Sequence, residues 1–401
     1  MKIAIIGGGA AGMMAAATIT EKNSEDEVIL IEKNTRLGRK VVISGGGRCN
    51  LTTSTSDIKE LLENYPRGAK WLKFAMHEFG PKETYEWFEK NGIPLKTEKK
   101  RVFPKSNKGI DLVYAFTKIF TEKNVQVKYN KAVEEIEKEG DKFVLTFPEN
   151  QIIEVDKVII TAGGIAYSET GSTGDGYYFA KSLGHTVTQL SPSLTSFISD
   201  KEWIKDLAGV SIPHAKLKIS GEEKYEFEGP FLFTHTGITG PAIFALSALS
   251  AHEKTPLQLL IDLVPEKDYN TLKDEVEKSQ KKSIEKTMAA YIPKSLANLL
   301  LQKLNLDSKK IISETSKKDL NRITETLKNL KITLTSRTPG NEMVTAGGVD
   351  LKEVDEKTME SKICPGLYFA GEILDVDGFT GGYNLQNAWA TGKVAGDNAC
   401  T

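Results

Sequence analysis

At 401 residues the chain exceeds what one hydrophobic core usually organises, so two or three folding units are expected. Its 27% charged and 39% hydrophobic residues are those of an ordinary globular protein, and the net charge of −1 supplies no bulk drive toward nucleic acid or anionic lipid. Three cysteines, Cys49, Cys364 and Cys400, follow neither CxxC nor Cys/His metal spacing, which points to a reducing compartment and to no metal site.

The opening "MKIAIIGGGAAGMMAAATI" has one lysine before a long uncharged stretch, as a secretory signal does, but Gly7, Gly8, Gly9 and Gly12 would weaken such a helix. No other stretch is apolar enough to cross a bilayer, so a cytoplasmic protein without membrane contact is expected. The same residues read better as a buried strand (Ile3 to Ile6), a glycine turn and a small-residue helix. Gly7-x-Gly9-x-x-Gly12 is a dinucleotide fingerprint. Its glycines make the turn, admit a pyrophosphate to the backbone and allow close helix packing, while the helix N-terminus faces the phosphates. The next strand, "EVILIEK", ends in Glu32, 20 residues after Gly12, where an acid grips a ribose diol; it favours FAD or NAD over NADP.

"RLGRKVVISGGGRCNLT" then offers Ser44, Gly45, Gly46 and Gly47 with Arg48, a second set of backbone donors and a cation, which a ligand extending beyond its phosphates would need. The lysines and Arg101 of "KTEKKRVFPKSNKG" (96 to 109) read either as solvated surface or as an attraction for a phosphate-bearing substrate or NAD(P)H. "VDKVIITAGG" is a strand breaking at Gly163 and Gly164. In "GSTGDGYYFAKSLG", Asp175 is expected to accept at a helix start and Gly184 to close the helix.

From about residue 189 to 265 short strands predominate, in "HAKLKIS", "KYEFEG", "PFLFTHTG" and "LQLLIDLV". "KITLTSR" (331 to 337) can rejoin them in a barrel or sandwich. "THTGITGPAIFALSAL" leads into a helix with Pro241 in its first turn. Residues 266 to 331 are helix-like and hold 15 Lys/Arg against 10 Asp/Glu, a net of +5. With only Tyr269 and Tyr291 aromatic among these charges, a solvated helical subdomain is favoured over an RNA-binding one.

"GLYFAGEILDVDGFTGGYNLQNAWATGKVAG" reads as a buried strand (Leu367 to Ala370), a turn at Gly371 and a helix from about Tyr383. Such a return to the first domain suits FAD, with a strand-end acid on the ribityl chain and a helix N-terminus at the flavin pyrimidine; Gly381 and Gly382 would let backbone reach the ring. No second fingerprint marks a separate NAD(P)H domain, and no CxxC serves as a redox dithiol.

With "GGGAAGMMAA", "GRKVVISGGGRCNLT", "RVFPKS", "GSTGDGY", "FLFTHTGITGPAI", "EMVTAGGVDLKEVDEKTMESK" and "GLYFAGEILDVDGFTGGYNLQNAWATG" together, the sequence resembles, over essentially its full length, the BaiN-like family of FAD-dependent oxidoreductases. That family includes YhiN-type proteins and bacterial aminoacetone oxidases. The resemblance implies an α/β chain with a discontinuous Rossmann-type FAD-binding domain (1–188 and 338–401). Inserted into it are a β-barrel domain (189–265, with return strand 331–337) and a small helical domain (266–330). Candidate cofactor contacts are Gly7, Gly9, Ala11, Gly12, Glu32, Lys33, Arg39, Ser44, Gly46, Arg48, Cys49, Asn50, Val133, Thr161, Ala162, Gly163, Asp175, Gly371, Glu372, Asp377, Gly382, Asn384 and Leu385. The chain departs from many relatives in reading "KKRVFP" where they place a glycine before the arginine.

The expected activity is hydride transfer between flavin N5 and a small-molecule substrate, with NADH, NADPH or O2 completing the cycle; amine oxidation and reduction of an activated carbon–carbon double bond both stay open. Reduction of a uridine in ribosomal RNA and a non-catalytic, partner-recruiting flavoprotein are the alternatives. A substrate pocket is expected among "THTGITG", "EMVTAGG" and "DGFTGGYN". His235, Tyr383 and Cys49 are the candidates for proton transfer or substrate orientation, Cys49 either as a thiol activated beside Arg48 or as a small packing residue.

Overall fold

The structure is a computed structural model that describes residues 1–22, 25–221 and 223–400. It divides into two compact units, Met1–Ser191 with Met343–Thr401, and Pro192–Glu342.

The first unit is built on a five-stranded sheet. Strands β1 (Lys2–Ile6), β2 (Glu27–Ile31), β3 (Gln126–Lys128), β4 (Lys157–Ile160) and β5 (Leu367–Phe369) lie in the order β5-β4-β1-β2-β3. All pairs are parallel, with Ile5 opposite Leu30 on β2 and Ile159 on β4, and Ile159 opposite Tyr368 on β5. Parallel strands are covered on both faces and therefore read as unbroken apolar runs; Ile3, Ala4 and Ile5 of β1 are fully buried, as are Val158, Ile159 and Ile160. The chain runs outward from β1 through β2 to β3 and then crosses to β4 and β5 on the other side of β1, so a switch point opens at the carboxyl ends of β1 and β4.

Two helices against this sheet set the site. Helix α1 (Ala10–Glu21) follows β1, and α2 (Tyr383–Ala399) follows β5. A Cβ added at Gly392 would lie 2.4 Å from the Ala11 carbonyl oxygen, and one at Gly396 would lie 2.7 Å from that of Ala15. Contact positions one turn apart advance together on both helices, so the helices run parallel and only glycine permits the approach. Because α2 starts nine residues before Gly392 and α1 one residue before Ala11, its N-terminus projects eight residues further, about 12 Å at 1.5 Å per residue. Trp389 of α2 locks the arrangement from behind, stacked on Phe116 and edge-on to Phe88, while its indole N–H donates to the Leu51 carbonyl at 3.0 Å.

The second unit is a closed six-stranded barrel in the order Phe197–Ser199, Gly237–Thr239, Lys224–Phe233, Ser211–Ser220, Leu257–Asp262 and Leu330–Arg337. The expected return strand closes it, pairing with both Leu257–Asp262 and Phe197–Ser199. "KYEFEG" and "PFLF", read as two strands, form one, because Gly229 and Pro230 are absorbed opposite a register irregularity between Ile212 and Ala215. Helices Tyr269–Lys278, Ile284–Met288, Lys294–Lys303 and Lys317–Lys328 occupy the connection before the last strand. Their buried residues, Leu300 and Ile323 among them, join the barrel's Leu259 and Ile332 in one apolar cluster, so barrel and helices share a core.

Candidate cofactor site

The carboxyl ends of β1, β2, β4 and β5 bring four chain segments together. After β1, Gly7 donates its N–H to the Ile31 carbonyl at 2.9 Å, and a Cβ there would meet the Thr161 carbonyl at 2.7 Å. At Gly12 an added Cβ would lie 2.0 Å from the Gly7 carbonyl oxygen and 2.6 Å from Thr161 Oγ1, whose hydroxyl donates back to the Ile6 and Gly7 carbonyls. Gly9 is different. It caps α1 without a side-chain bond, and no protein atom lies within 4 Å of where its Cβ would be. Strand, turn and helix therefore pack tightly around Gly7 and Gly12 and leave an opening at Gly9, above the unpaired N–H groups of the first turn of α1.

Glu32, at the end of β2, is 7% exposed and accepts hydrogen bonds from Gly8 N–H at 2.9 Å and from the Asn34 backbone and side-chain amides at 2.8 and 2.6 Å. Oε2 faces the glycine turn and Oε1 is held by Asn34, at the strand end from which a carboxylate reaches a ribose diol. Arg39 donates to Asn34 at 2.8 Å, and Lys33 pairs with Asp175 at 2.6 Å and also bonds Thr173. Asp175 is the first residue of helix Asp175–Ser182 rather than its cap: Gly174 takes that place in a left-handed conformation, and the carboxylate turns to Lys33. Ala162 and Gly163 follow β4 and Val133 is buried after β3, all within the first unit.

The second glycine loop, Ser44–Gly47, holds Gly45 and Gly46 in left-handed conformations, and no protein atom lies within 4 Å of an added Cβ at Gly46 or Gly47. Beside it lies an open cavity of about 500 Å³ lined by Ile43, Gly46, Gly47, Asn107 and Lys108. Asn50, with its amide oriented by its partners, accepts from Gly382 N–H at 3.0 Å and donates to the Thr52 carbonyl at 3.1 Å, fastening this loop to the start of α2. Arg48 turns away from the glycines: it bonds Glu98 at 2.6 Å and Asn107 at 2.9 Å over the Phe103 ring, and Arg48 with Lys96 holds the Glu98 carboxyl down at about 2. Cys49 is fully buried, and burial, against a smaller opposing pull from Ser44, pushes its thiol up to about 12. Of the two readings of Cys49, this burial favours the small packing residue, because the Arg48 guanidinium is spent on Glu98 and the sulfur is dry.

At the other end, Gly371 donates to Thr391 at 2.9 Å, and Glu372 accepts from Lys40 at 2.6 Å and from Thr345 N–H at 3.0 Å. Asp377 is fully buried and gripped by both arms of the Arg67 guanidinium. Asn384 closes the turn before α2 by a reciprocal pair with Gly378 at 2.7 and 2.8 Å, and Leu385 packs on the core. A Cβ at Gly382 would strike the Thr52 carbonyl at 2.5 Å, and one at Gly381 the Tyr383 ring at 2.7 Å. The two glycines thus make room for the protein's own backbone and ring, not for a ligand alone. Tyr383 is buried, edge-on to Tyr65, whose hydroxyl donates to the Tyr383 carbonyl at 2.7 Å. Gly382 caps α2 with no side-chain bond, so this helix too presents a bare N-terminus. His235 lies in the second unit, exposed on the turn after strand Lys224–Phe233.

Sequence reading missed Arg67 and Lys40, the cations that neutralise Asp377 and Glu372 from 310 and 332 residues away. Neither belongs to a local pattern. Among the described residues no cluster of His, Cys, Asp or Glu fits a metal ion, and no helix is long and apolar enough to cross a membrane.

A model of the HI0933-like protein Rossmann domain matches residues 1–398. The chain belongs to the HI0933-like family. It is an FAD-dependent oxidoreductase, as the motifs implied. The HI0933-like chain is 30% identical over 408 residues to a 3-dehydro-bile acid delta(4,6)-reductase of Clostridium scindens, with 98% of each covered. It is 29% identical over 370 residues to a ribosomal RNA dihydrouridine synthase of Escherichia coli, covering 91% of this chain and 90% of that one. The fold recurs in a 3-ketosteroid delta1-dehydrogenase of Sterolibacterium denitrificans (TM-score 0.52, 12% identity, 99% of each chain) and in a flavocytochrome c3 fumarate reductase (TM-score 0.52, 16% identity, 100% of this chain and 78% of that one). The HI0933-like site fits FAD on its own chemistry: an opening at Gly9 for the pyrophosphate, Glu32 for the adenosine ribose, and a second bare helix end about 12 Å beyond the first for the far end of an elongated ligand.

Proposed function

We propose that the protein reduces a carbon–carbon double bond conjugated to a carbonyl, with NADH or NADPH as the electron donor. The observation that carries this reading is the bare N-terminus of α2, projecting about 12 Å past that of α1. FAD, when bound, supplies a hydride from its reduced ring. The N–H groups and positive dipole end of α2 are suited to hold the negative charge which that ring carries, and Asn50 and Asn384 fix the helix start against the loops around it. Two relatives of near-full coverage support the direction of the reaction, since the names of both denote saturation of a double bond next to a carbonyl, one in a steroid and one in a uracil.

In such a reduction the hydride adds to the carbon β to the carbonyl, and a proton must reach the α carbon. Tyr383 is the group we assign to that proton, because its ring stands at the head of α2 and its hydroxyl has no protein hydrogen-bond partner among the described residues. The test is anaerobic stopped-flow spectroscopy. NADPH or NADH should bleach the flavin band, and an enone or a uridine-containing RNA should restore it, with Tyr383→Phe slowing only the second half-reaction. Reduction of the oxidised flavin by amines, with no reoxidation by enones or uridine, would overturn the reading in favour of amine oxidation.

A further inference from the structure

Three acids follow β5, and each is met by a different part of the chain. Asp377 is sealed against Arg67, and Asp375 accepts from the Thr188 hydroxyl at 3.0 Å. Glu372 is not sealed: its side chain stays 19% exposed, and that of its partner Lys40 stays 26% exposed. Lys40 belongs to the short helix Arg39–Ile43, which leads directly into the Ser44–Gly47 loop. Its ammonium donates to Glu372 Oε2 at 2.6 Å and to the Ala166 carbonyl at 3.3 Å, and lies 5.7 Å from the centre of the Tyr167 ring. Uncommon backbone supports this placement. Tyr167 holds a left-handed φ of 58°, which a bulky side chain rarely adopts. A Cβ at Gly164 would lie 2.3 Å from Thr345 Oγ1 and 3.1 Å from Glu372 Oε1, so glycine is what lets the segment after β4 close on the pair. Thr345 completes the arrangement: its N–H donates to Glu372 Oε1 at 3.0 Å, and its hydroxyl accepts from the Ile165 and Ala166 amides at 2.8 and 3.2 Å. All of these residues belong to the first unit. The anchors also border candidate FAD contacts: Lys40 adjoins Arg39, Ala166 lies just past Gly163, and Glu372 is itself one.

FAD arrives with a negatively charged pyrophosphate, and uptake of two electrons and one proton then adds a further negative charge on its ring. A bare carboxylate at the end of β5 would oppose that added charge, whereas one already neutralised would not. We propose that Lys40 is a positioning residue for the redox step: by cancelling the charge of Glu372 it raises the reduction potential of bound FAD. The dipole end of α2 then acts on the reduced ring without a competing anion on the opposite segment. This role rests on the reading above, in which the crevice favours a negatively charged reduced ring.

The experiment measures the potential of FAD bound to the full chain by slow anaerobic reduction with xanthine and xanthine oxidase beside a reference dye, which needs neither a pyridine nucleotide nor a substrate. Lys40→Gln leaves the Glu372 carboxylate unpaired and should shift the balance toward oxidised FAD by about tenfold, the effect of a unit charge across roughly 10 Å at an effective dielectric of about 20. For a two-electron couple that is a fall of about 30 mV. Glu372→Gln leaves the cation unopposed and should raise the potential by a similar step. Lys40→Arg keeps the charge and should hold the balance within about twofold. So should Lys393→Gln, which breaks the Lys393–Asp397 pair toward the far end of α2. Should Lys40→Gln lose its flavin, the raised potential of Glu372→Gln and its return toward wild type in Lys40→Gln/Glu372→Gln carry the test. Equal weakening of oxidised and reduced FAD in both single variants, with the potential unchanged, is the signature of a purely structural tie and would overturn the proposal, as would a rise in Lys40→Gln. The wild-type potential relative to free FAD tests the reading of α2, and the displacement of the variants from wild type tests Lys40, so the two fail separately.

Discussion

Gly9 and Gly12 stand three residues apart in one motif, and the structure assigns them opposite consequences on mutation. At Gly12 a methyl would sit 2.0 Å from the Gly7 carbonyl oxygen, inside any permissible contact, with Thr161 Oγ1 at 2.6 Å closing the other side. Backbone must shift, so Gly12→Ala is expected to destabilise the apoprotein by about 3 kcal/mol, the upper part of the overpacking range. At Gly9 the added methyl meets nothing within 4 Å, and φ is −80°, which alanine adopts freely. Loss of glycine at the helix cap and the gain from a stiffer unfolded chain nearly offset, leaving the apoprotein within about 1 kcal/mol of wild type. That methyl, however, occupies the space assigned to a phosphate, and 1–3 kcal/mol of crowding converts to roughly a tenfold to hundredfold weaker FAD Kd. Urea unfolding of deflavinated protein measures the first quantity, and quenching of FAD fluorescence on titration measures the second. Wild-type FAD affinity in Gly9→Ala, with apoprotein stability unchanged, would refute the placement of the pyrophosphate over α1.

Three further outcomes follow from the site. Arg67→Met strands the buried Asp377 carboxylate and should cost about 3–5 kcal/mol in urea unfolding, whereas Arg67→Met combined with Asp377→Leu should recover much of it; a larger loss in the double variant would deny that the pair acts as a unit. Cys49, with its thiol raised to about 12, should resist alkylation at pH 8 in the native protein and label only on unfolding, and Cys49→Ala should retain turnover; rapid native labelling would contradict its burial. Glu98, with its carboxyl lowered to about 2, contributes its pairing to Arg48 fully above about pH 4.5 and loses it as pH falls toward 2. Urea midpoints of wild type and Glu98→Gln should therefore differ at neutral pH, converge on acidification, and draw together at about 1 M salt because the pair is exposed.

Local pattern carried the parts of this fold whose physics is local. The strand, turn, helix and acid from Ile3 to Glu32 were legible because parallel strands demand unbroken apolar runs and a glycine fingerprint has fixed spacing, and the return helix from Tyr383 was legible for the same reason. The reason for the glycines near its start was not, since Thr52 packs against Gly382 from 330 residues away. Arg67 and Lys40 were silent because an ion pair across more than 300 residues leaves no period to read. Arg48 reads as an anion donor in sequence, but Glu98, far along the chain, occupies its guanidinium, and the dry surroundings of Cys49 follow from packing that composition does not encode.

The glycine seam between α1 and α2 has a consequence for biosynthesis. The first helix emerges from the ribosome long before the helix that flanks it and the edge strand Leu367–Phe369, which follow far later in the chain. A nascent chain still holding residues 367–399 in the exit tunnel lacks half of its cofactor cradle, however long the rest has been free to fold. Flavin capture is thereby deferred until residues 367–399 have cleared the tunnel, and the apolar flank of α1 awaits its partner until then, which makes this the stretch where a chaperone would be needed most.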